Sequence, residues 1–335
     1  MTSPADQQQP PSFLSRLVAL AFLQISIGLA IGTLATFFAK HNWIAGIFCH
    51  LRIQMTLVLI VWLLIAAICK RKNQAIALFV FFVVNAIWIV PYLIPSSSGR
   101  NANSSNLATA VDSSTVKIMS ANVLTKNNQY ASLVKTVQHH NPDIAIVIEV
   151  NARWQQEIEA GLLSVYPHQH IISKESNFGI GIISKIPFSS VEQIIDPDTD
   201  LISLDARFVG QSGRPFRLIA THPYPPLSQT CFRQRSKQLI ALAGQLDPTE
   251  DNVLAGDFNL TPWSPIFSEV LAAGNLKDSR VGFGVAQTWY AFPSFLGSLQ
   301  IDHVLTSPSM TTISHEVSEN YGSDHRAVIV EIQQL

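Results

Sequence analysis

Asp257 and Asn259 are the residues in this sequence whose types and spacing most clearly suit catalysis. They follow the apolar stretch 252–255 (NVLA) and a glycine, and Phe258 stands between them. Alternate side chains of an extended strand point the same way, so the two polar groups share one face. A carboxylate can take a proton from water and a carboxamide can donate to a phosphate oxygen, as phosphoester cleavage requires. Because Asp and Asn also form ordinary turns, the pair needs partners elsewhere in the chain.

Further polar residues stand where other apolar stretches end or are interrupted. They are Asn122, Glu149, His222, Asp302 with His303, and the run Ser323-Asp324-His325. An acid inside or at the end of an apolar strand is costly unless it is paired or bound to a metal. These strands therefore indicate one shared polar site.

The ordered set of these segments resembles the endonuclease/exonuclease/phosphatase superfamily, which has the fold of DNase I. The matching pieces lie within 117–332 and are 120–122 (SAN), 142–149 (PDIAIVIE), 179–185 (GIGIISK), 221–222 (TH), 256–259 (GDFN), 288–289 (TW), 301–305 (IDHVL) and 323–325 (SDH). Each piece is degenerate alone, whereas the ordered set is specific. The apolar front of the chain and the segment 221–226 (THPYPP) resemble the bacterial membrane-anchored branch.

The resemblance implies a metal and a water-activating group. Glu149 would bind Mg²⁺, or Mn²⁺ in its place, with Asn122 beside it or on the phosphate. Asp257 would orient or deprotonate the attacking water, and Asn259 would hold the transition-state oxygens. A hard divalent cation with few carboxylate ligands and many waters is typical of phosphoryl-transfer sites.

The resemblance also implies roles for two histidines. His325 would contact the scissile phosphate, polarised by Asp324. His222 would bind a phosphate oxygen or protonate the leaving group, and Asp302 would orient one of the two histidines. An unperturbed imidazole has a pKa of about 6.5, so activity is expected to change across neutral pH.

Several other residues admit two interpretations. Trp289 fits the core as well as a substrate-stacking surface. Arg235, near the start of a predicted helix, would bind substrate as a clamp on a second phosphate, or face solvent. Asp302 would serve the site or satisfy a buried backbone group. His168 and His170 have metal-ligand spacing but no third ligand nearby, so we place them on the surface.

Composition divides the chain into two unlike parts. The 335 residues are 47% hydrophobic and 13% charged. Residues 1–100 hold seven Lys/Arg and one acid, whereas the remainder holds 15 Lys/Arg and 22 Asp/Glu, a net charge of −7. An acidic domain is a poor electrostatic partner for long nucleic acid, which is bound mainly by clustered Lys and Arg.

The basic front part has the pattern of a membrane anchor. After a polar tail (1–12), the anchor (13–95) contains three uncharged runs at about 17–39, 53–69 and 75–94. Each run reaches the length of about 17–25 residues that a helix needs to cross a bilayer. The basic cluster 70–72 (KRK) predicts a cytoplasmic loop, which places everything after residue 95 outside the cytoplasm.

The host compartment is predicted from the candidate site itself. Asn259-Leu260-Thr261 is a glycosylation acceptor triplet, and a glycan on Asn259 would block the phosphate-binding centre. An outward-facing domain that keeps this triplet is easier to understand in a bacterium. We therefore expect a multi-pass protein of the bacterial inner membrane with an extracytoplasmic catalytic domain.

After a predicted linker (96–115), residues 116–335 alternate short strands with helices. Strands are predicted at 116–121, 144–150, 180–184, 202–208, 216–221, 252–255, 301–305 and 327–332, and helices at 130–139, 153–162, 232–246 and 265–273. This order predicts a DNase I-like four-layer α/β sandwich of two mainly antiparallel sheets with helices outside.

We therefore expect a membrane-anchored, Mg²⁺-dependent phosphoesterase that uses water as the nucleophile. A phosphoester or pyrophosphate linked to a lipid of the bilayer is the first substrate expected. An extracytoplasmic nuclease is the alternative, and it would need a basic patch that the sequence does not clearly form. A catalytically inactive binding module is expected to have lost one of the central residues, yet Glu149, Asp257, Asn259 and His325 are all present.

Overall fold

Helices form the first part of the computed structural model, which describes residues 12–95, 115–210, 212–291 and 297–334. They are α1 (Phe13–Ala35), α2 (Trp43–His50), α3 (Arg52–Ile68) and α4 (Lys72–Leu93). The segment Phe13–Phe38 and α4 are long and apolar enough to cross a membrane, which confirms two candidate spans. The second predicted span (53–69) corresponds to α3, which meets α2 at a bend of 62° and qualifies only together with it.

The predicted tail and linker fall mostly outside this description. Residues 1–11 and 96–114 are not among the described residues, so the tail and linker assignments stay predictions. The α/β part then begins at Thr115 with the first strand.

Strands and helices alternate through the rest of the chain. The strands of the described residues are β1 (Thr115–Asn122), β2 (Ile144–Ile148), β3 (His168–Ile172), β4 (Ile180–Ser184), β5 (Phe188–Ile195), β6 (Ile202–Val209), β7 (Pro215–Thr221), β8 (Asp251–Asp257), β9 (Lys277–Asp278), β10 (Trp289–Tyr290), β11 (Ser298–Leu299), β12 (Asp302–Thr306), β13 (Met310–Val317) and β14 (Val328–Gln334). The helices are α5 (Tyr130–His140), α6 (Ala152–Leu162), α7 (Gln229–Gly244) and α8 (Pro265–Ala273). Ser264 caps α8 by accepting a hydrogen bond from the backbone of Ile266, and Pro265 occupies the first helical position.

The strands form two six-stranded sheets and a short ribbon of β10 and β11. The sheet orders are β13-β14-β1-β2-β4-β3 and β5-β6-β7-β8-β12-β9. Pairing is antiparallel except for β1 with β2 and β7 with β8. Apolar side chains from both sheets fill the space between them. Helices α5 and α6 cover the first sheet, and α7 and α8 cover the second. This arrangement confirms the predicted α/β sandwich.

The strand directions bring the candidate site residues to one edge of the sandwich. Parallel β1 and β2 end together, and so do parallel β7 and β8. Because β14 is antiparallel to β1 and β12 is antiparallel to β8, the beginnings of β14 and β12 lie at that same edge. The residues gathered there are Asn122, Glu149, His222, Asp257, Asp302 and His325.

The N-terminal helices, which form the predicted anchor, pack directly against the α/β domain. Tyr92 of α4 meets the ring of Trp263 edge-on at 4.9 Å between centroids, and its hydroxyl donates to Asp278 at 2.9 Å. Gln54 of α3 donates to the backbone oxygen of Ser298 at 2.8 Å. Contacts from two different anchor helices therefore hold the two parts together.

Candidate active site

A cleft of about 510 Å³ opens where the strand ends meet. Its walls contain seven of the sequence-predicted residues, Glu149, His222, Asp257, Asn259, Trp289, Asp324 and His325. Asn122 and Asp302 are buried and hydrogen-bonded to residues of this wall. The structure thus brings together nine of the ten predicted residues, and Arg235 is the exception.

Asn122, the last residue of β1, links the two sheets. Its amide nitrogen lies 2.9 Å from Oε1 of Glu149 and 3.1 Å from Oδ2 of Asp257. Its backbone oxygen accepts hydrogen bonds from Tyr321 and Ser323, each at 2.8 Å. Because one amide group donates to both acids, Asn122 sets the separation of the two carboxylates.

Glu149 is held in a backbone conformation that L-residues rarely adopt. Its φ is 65°, directly after β2, and its backbone nitrogen donates to the oxygen of Gly179 at 2.8 Å. Left-handed conformations of non-glycine residues are typical of functional sites. The carboxylate of Glu149 faces the cleft and accepts from the backbone of Thr125 at 3.2 Å. This strained position aims a carboxylate into the opening.

A divalent cation could be held at either of two positions, at Glu149 or at a group of three other residues. Glu149 lines the cleft and offers hard oxygen ligands, so this residue fits Mg²⁺. Asp257, Asp302 and His325 form a second group whose ligand atoms lie within 4.8 Å of one another. In that group His325 and Asp302 already hydrogen-bond each other. Glu149 is therefore the more suitable ligand, because its carboxylate lines the cleft and each of its oxygens has a second lone pair for a cation.

His325 forms a buried pair with Asp302. Nδ1 of His325 lies 2.9 Å from Oδ2 of Asp302, and Nε2 lies 3.6 Å from Oδ2 of Asp257. The strand register places Asp302 directly opposite Asp257. The hydrogen-bond partner of His325 is Asp302 and not Asp324, whose carboxylate accepts a hydrogen bond from the Trp289 indole at 3.1 Å and acts on His325 only through its charge.

Burial and charge separate the pKa values of the three central groups. Burial lowers the pKa of His325, but the charges of Asp302 and Asp257 outweigh burial and raise it to about 10. Burial, and then the charge of Asp302, raise the pKa of Asp257 to about 7. Burial lowers the pKa of His222 to about 4. The group that titrates near neutral pH is therefore Asp257, and neither histidine does so as the sequence predicts.

Hydrogen bonds hold both the backbone and the side chain of Asn259. Its φ is 50°, and its backbone nitrogen donates to Oδ1 of Asp257 at 2.9 Å. Its side-chain amide donates to the backbone oxygen of Pro223 at 3.1 Å. His222, the residue before Pro223, lies with Nε2 3.5 Å from the Asp257 carboxylate. Asp257 and Asn259 are therefore linked to the segment of His222 and Pro223 by two separate contacts.

The two interpretations given above for Arg235 and for Trp289 can be compared with their positions in the structure. Arg235 is 0% exposed and donates to the backbone oxygen of Asn259 at 2.5 Å, so it neither clamps a phosphate in the cleft nor faces solvent. Trp289 is half-buried and lines the cleft, where its indole bonds Asp324. The cleft wall also contains Thr125, Lys126 and Phe178, which the sequence analysis misses. The first two follow the end of β1, and that position is the signal that points to them.

Comparisons with known proteins show the family and the fold. The family model of the endonuclease/exonuclease/phosphatase family matches residues 119–325, and no curated protein matches the chain. Among solved structures, humanized TDP2 of D. rerio is 20% identical, with a TM-score of 0.56, covering 66% of this chain and 100% of that chain. An endonuclease/exonuclease/phosphatase from Beutenbergia cavernae is 18% identical, with a TM-score of 0.55 and coverages of 66% and 72%. Sphingomyelinase C from Streptomyces griseocarneus is 17% identical, with a TM-score of 0.50 and coverages of 65% and 99%.

At these identities the solved structures show the fold, whereas the family model covers more than half of the chain. It spans β1 to His325 and so includes every residue of the cleft named above. The protein therefore belongs to the endonuclease/exonuclease/phosphatase family, whose members are metal-dependent phosphoesterases and nucleases.

Proposed function

We propose that the protein is a membrane-anchored, Mg²⁺-dependent phosphoesterase that hydrolyses a phosphoester or pyrophosphate carried by a lipid. The observation that carries this proposal is the set of contacts around Asp257. Its carboxylate touches Asn122, His222 and His325, and it lies opposite the buried pair formed by His325 and Asp302. A base, a cation and amide donors therefore surround one opening.

Each residue of this set has a task in hydrolysis by water. Asp257, with a pKa raised to about 7, suits a general base at neutral pH. Asp302 keeps His325 protonated, and an imidazolium contacts a phosphate oxygen with a full positive charge. Asn259 holds a side-chain amide at the cleft wall for the oxygens that gain charge in the transition state. Neutral His222 supplies a further hydrogen-bonding group.

The charge of the cleft supports a requirement for a cation. Acidic residues Glu149, Asp257, Asp302 and Asp324 lie in or behind its wall, against the cations His325 and Lys126. An anionic phosphate is repelled by such a set unless a further positive charge is present. A divalent ion at Glu149 would supply that charge and polarise the phosphoryl group.

Lipid attachment is supported by the position of the loop after His222. Leu227 is 76% exposed, and two residues later the side chain of Gln229 contacts the anchor. The Gln229 amide donates to the backbone oxygen of His41 at 3.0 Å and accepts from the backbone of Trp43 at 3.0 Å. The cleft-lining Pro225 is thus only four residues from a contact with the anchor, and this closeness favours a substrate that reaches the cleft from a bilayer.

The experiment compares substrates with the full-length chain in lipid nanodiscs with Mg²⁺. Release of phosphate from a polyprenyl pyrophosphate in the same nanodiscs is measured beside cleavage of plasmid DNA. The variant Asp257→Asn identifies any activity due to a contaminant, since it removes the base with little change in size. We expect lipid hydrolysis that depends on both Mg²⁺ and Asp257.

Other outcomes select the alternatives. Faster Asp257-dependent cleavage of DNA would favour the nuclease. No Asp257-dependent turnover of the lipid, of DNA or of a soluble aryl phosphodiester would favour an inactive module. The presence of Glu149, Asp257, Asn259 and His325 around one cleft argues against that last alternative.

A further inference from the structure

The anchor contacts the loop that carries Asn259. His50, the last residue of α2, lies with Nδ1 3.1 Å from the hydroxyl of Thr261. The backbone nitrogen of Thr261 donates to the same Nδ1 at 3.4 Å. A backbone N–H can only donate, so Nδ1 is an acceptor and the ring proton is on Nε2. Thr261 is fully buried and only two residues after Asn259.

Arg235 of α7 holds the same loop from another direction. Its guanidinium donates to the backbone oxygen of Asn259 and lies 5.2 Å from the ring centroid of Phe232. Its Nε and Nη2 have no hydrogen-bond partner among the described residues. Burying a guanidinium with so few partners is costly. Its one hydrogen bond is to the residue whose position the cleft requires.

Helix α2 is itself fixed against α7. Gln229, the first residue of α7, bridges the backbone at His41 and Trp43, as described above. Gly46 packs on Phe232, where an added Cβ would lie 3.4 Å from the ring. The loop 257–263 therefore lies between two helices that are packed on each other, one from the domain and one from the anchor.

We propose that His50 is a positioning residue of the active site, which acts on Asn259 through Thr261 and makes the anchor part of the catalytic structure. Asparagine adopts the left-handed backbone of Asn259 more readily than most residues do, but the loop still needs support from its surroundings to keep the Asn259 amide in one place. His50 supplies this support at Thr261, and Arg235 supplies it at Asn259 itself. A shift of α2 relative to the domain consequently moves the amide that faces the phosphate. The inference rests on the proposed function only for the role of Asn259 in turnover.

The first experiment compares His50→Leu with His50→Asn in the full-length chain in nanodiscs. Leucine keeps much of the volume but cannot accept a hydrogen bond, whereas the asparagine oxygen can take the place of Nδ1. We expect His50→Leu to lower kcat by about tenfold or more, as a small displacement of a catalytic group does. KM should stay within about twofold, because the interaction matters mainly in the transition state. His50→Asn should recover most of the lost kcat.

A matched control separates positioning from stability. Tyr92→Phe removes another buried hydrogen bond between anchor and domain, the one to Asp278, and keeps the ring on Trp263. It should lower the melting temperature to a similar degree and leave kcat unchanged. Equal values of kcat in His50→Leu and Tyr92→Phe would overturn the proposal.

A second measurement needs no substrate. Backbone hydrogen exchange of residues 258–263 should become faster in His50→Leu and stay unchanged in Tyr92→Phe. If the wild type turns over no phosphoester at all, this result still decides whether His50 holds the loop, so the two proposals fail separately. Should His50→Leu not fold, Thr261→Val removes the hydroxyl from the other side. Wild-type exchange and wild-type kcat in Thr261→Val would then refute the inference.

Discussion

Replacing Asp302 by asparagine removes one charge from the buried pair with His325 and leaves the side-chain size almost unchanged. Oδ2 of Asp302 lies 2.9 Å from Nδ1 of His325, and the two residues are 2% and 4% exposed. The charges of Asp302 and Asp257 raise the pKa of His325 from 6.5 to about 10 against the effect of burial. At about 1.4 kcal/mol per pKa unit, this change favours the imidazolium by about 5 kcal/mol.

Without the charge of Asp302, burial still opposes the imidazolium. We therefore expect the pKa of His325 in Asp302→Asn to fall from about 10 towards its ordinary value of 6.5, with the charge of Asp257 still acting against burial. For a pKa of about 6.5, the imidazolium fraction declines about 50-fold between about pH 6.5 and about pH 8.5. If the imidazolium contacts the phosphate, kcat/KM of the variant relative to wild type should decline by a similar factor. Asp302 also raises the pKa of Asp257, so its loss activates the base at lower pH and strengthens the trend.

The assay measures kcat/KM of both proteins for a soluble aryl phosphodiester with Mg²⁺ across this pH range. Asp205→Asn serves as the matched control, because it breaks a partly buried ion pair with Arg217 (2.7 Å) in the second sheet, at a distance from the cleft. The control should lose stability and keep a constant rate ratio to wild type. A constant ratio for Asp302→Asn as well would refute the reasoning that Asp302 keeps His325 charged.

Three further predictions concern the metal ligand, the stability at acidic pH and the membrane topology. Glu149→Gln should abolish turnover, because it removes a ligand charge but little volume; wild-type kcat and an unchanged Mg²⁺ titration would exclude Glu149 as the ligand. The pKa of His222 is lowered from 6.5 to about 4, so the unfolded state binds more protons between these values. The free energy of unfolding should thus decrease by up to about 3 kcal/mol as pH falls through this window, and by less in His222→Asn, as measured by denaturant titration. An alkaline phosphatase reporter, active only after export, should be active when fused after Leu335 and inactive when fused at Lys72; the reverse pattern would place the catalytic domain in the cytoplasm.

Most buried elements of the sandwich are predictable from the sequence because each is a short apolar run with a clear stop. The predicted helix 265–273 has the observed bounds of α8, since Ser264 and Pro265 define its start. The strands β3, β5 and β13 lie outside the predicted strands. They contain polar or only partly buried positions, and two of them, β3 and β13, form the edges of the first sheet while β5 is an edge of the second. An edge strand lacks the continuous apolar signal of a central strand.

In the candidate site, too, features set by the local sequence are predictable and features set by tertiary packing are not. Residues at strand ends can be grouped from the sequence, because strand direction alone brings those ends together. Their pairing depends on register, which the sequence does not show. Asp324 is adjacent to His325 in the chain, yet Asp302 is its partner because β12 places that carboxylate beside it. The burial of Arg235 depends in the same way on packing that no local pattern indicates.

The contacts between anchor and domain also bear on the substrate. The sequence predicts two parts joined by a linker, in which case linker length would set the height of the cleft above the bilayer. In the structure, His50, Gln54 and Tyr92 bond to the domain directly, so packing would set that height if the N-terminal helices span a bilayer as proposed. A cleft at one fixed height suits a phosphoester held at one depth in the headgroup region, because the lipid cannot rise to meet it. Dissolved nucleic acid would gain nothing from this arrangement. Hydrolysis should therefore depend steeply on the length of a spacer between lipid and phosphate, and equal rates for short and long spacers would count against a lipid substrate.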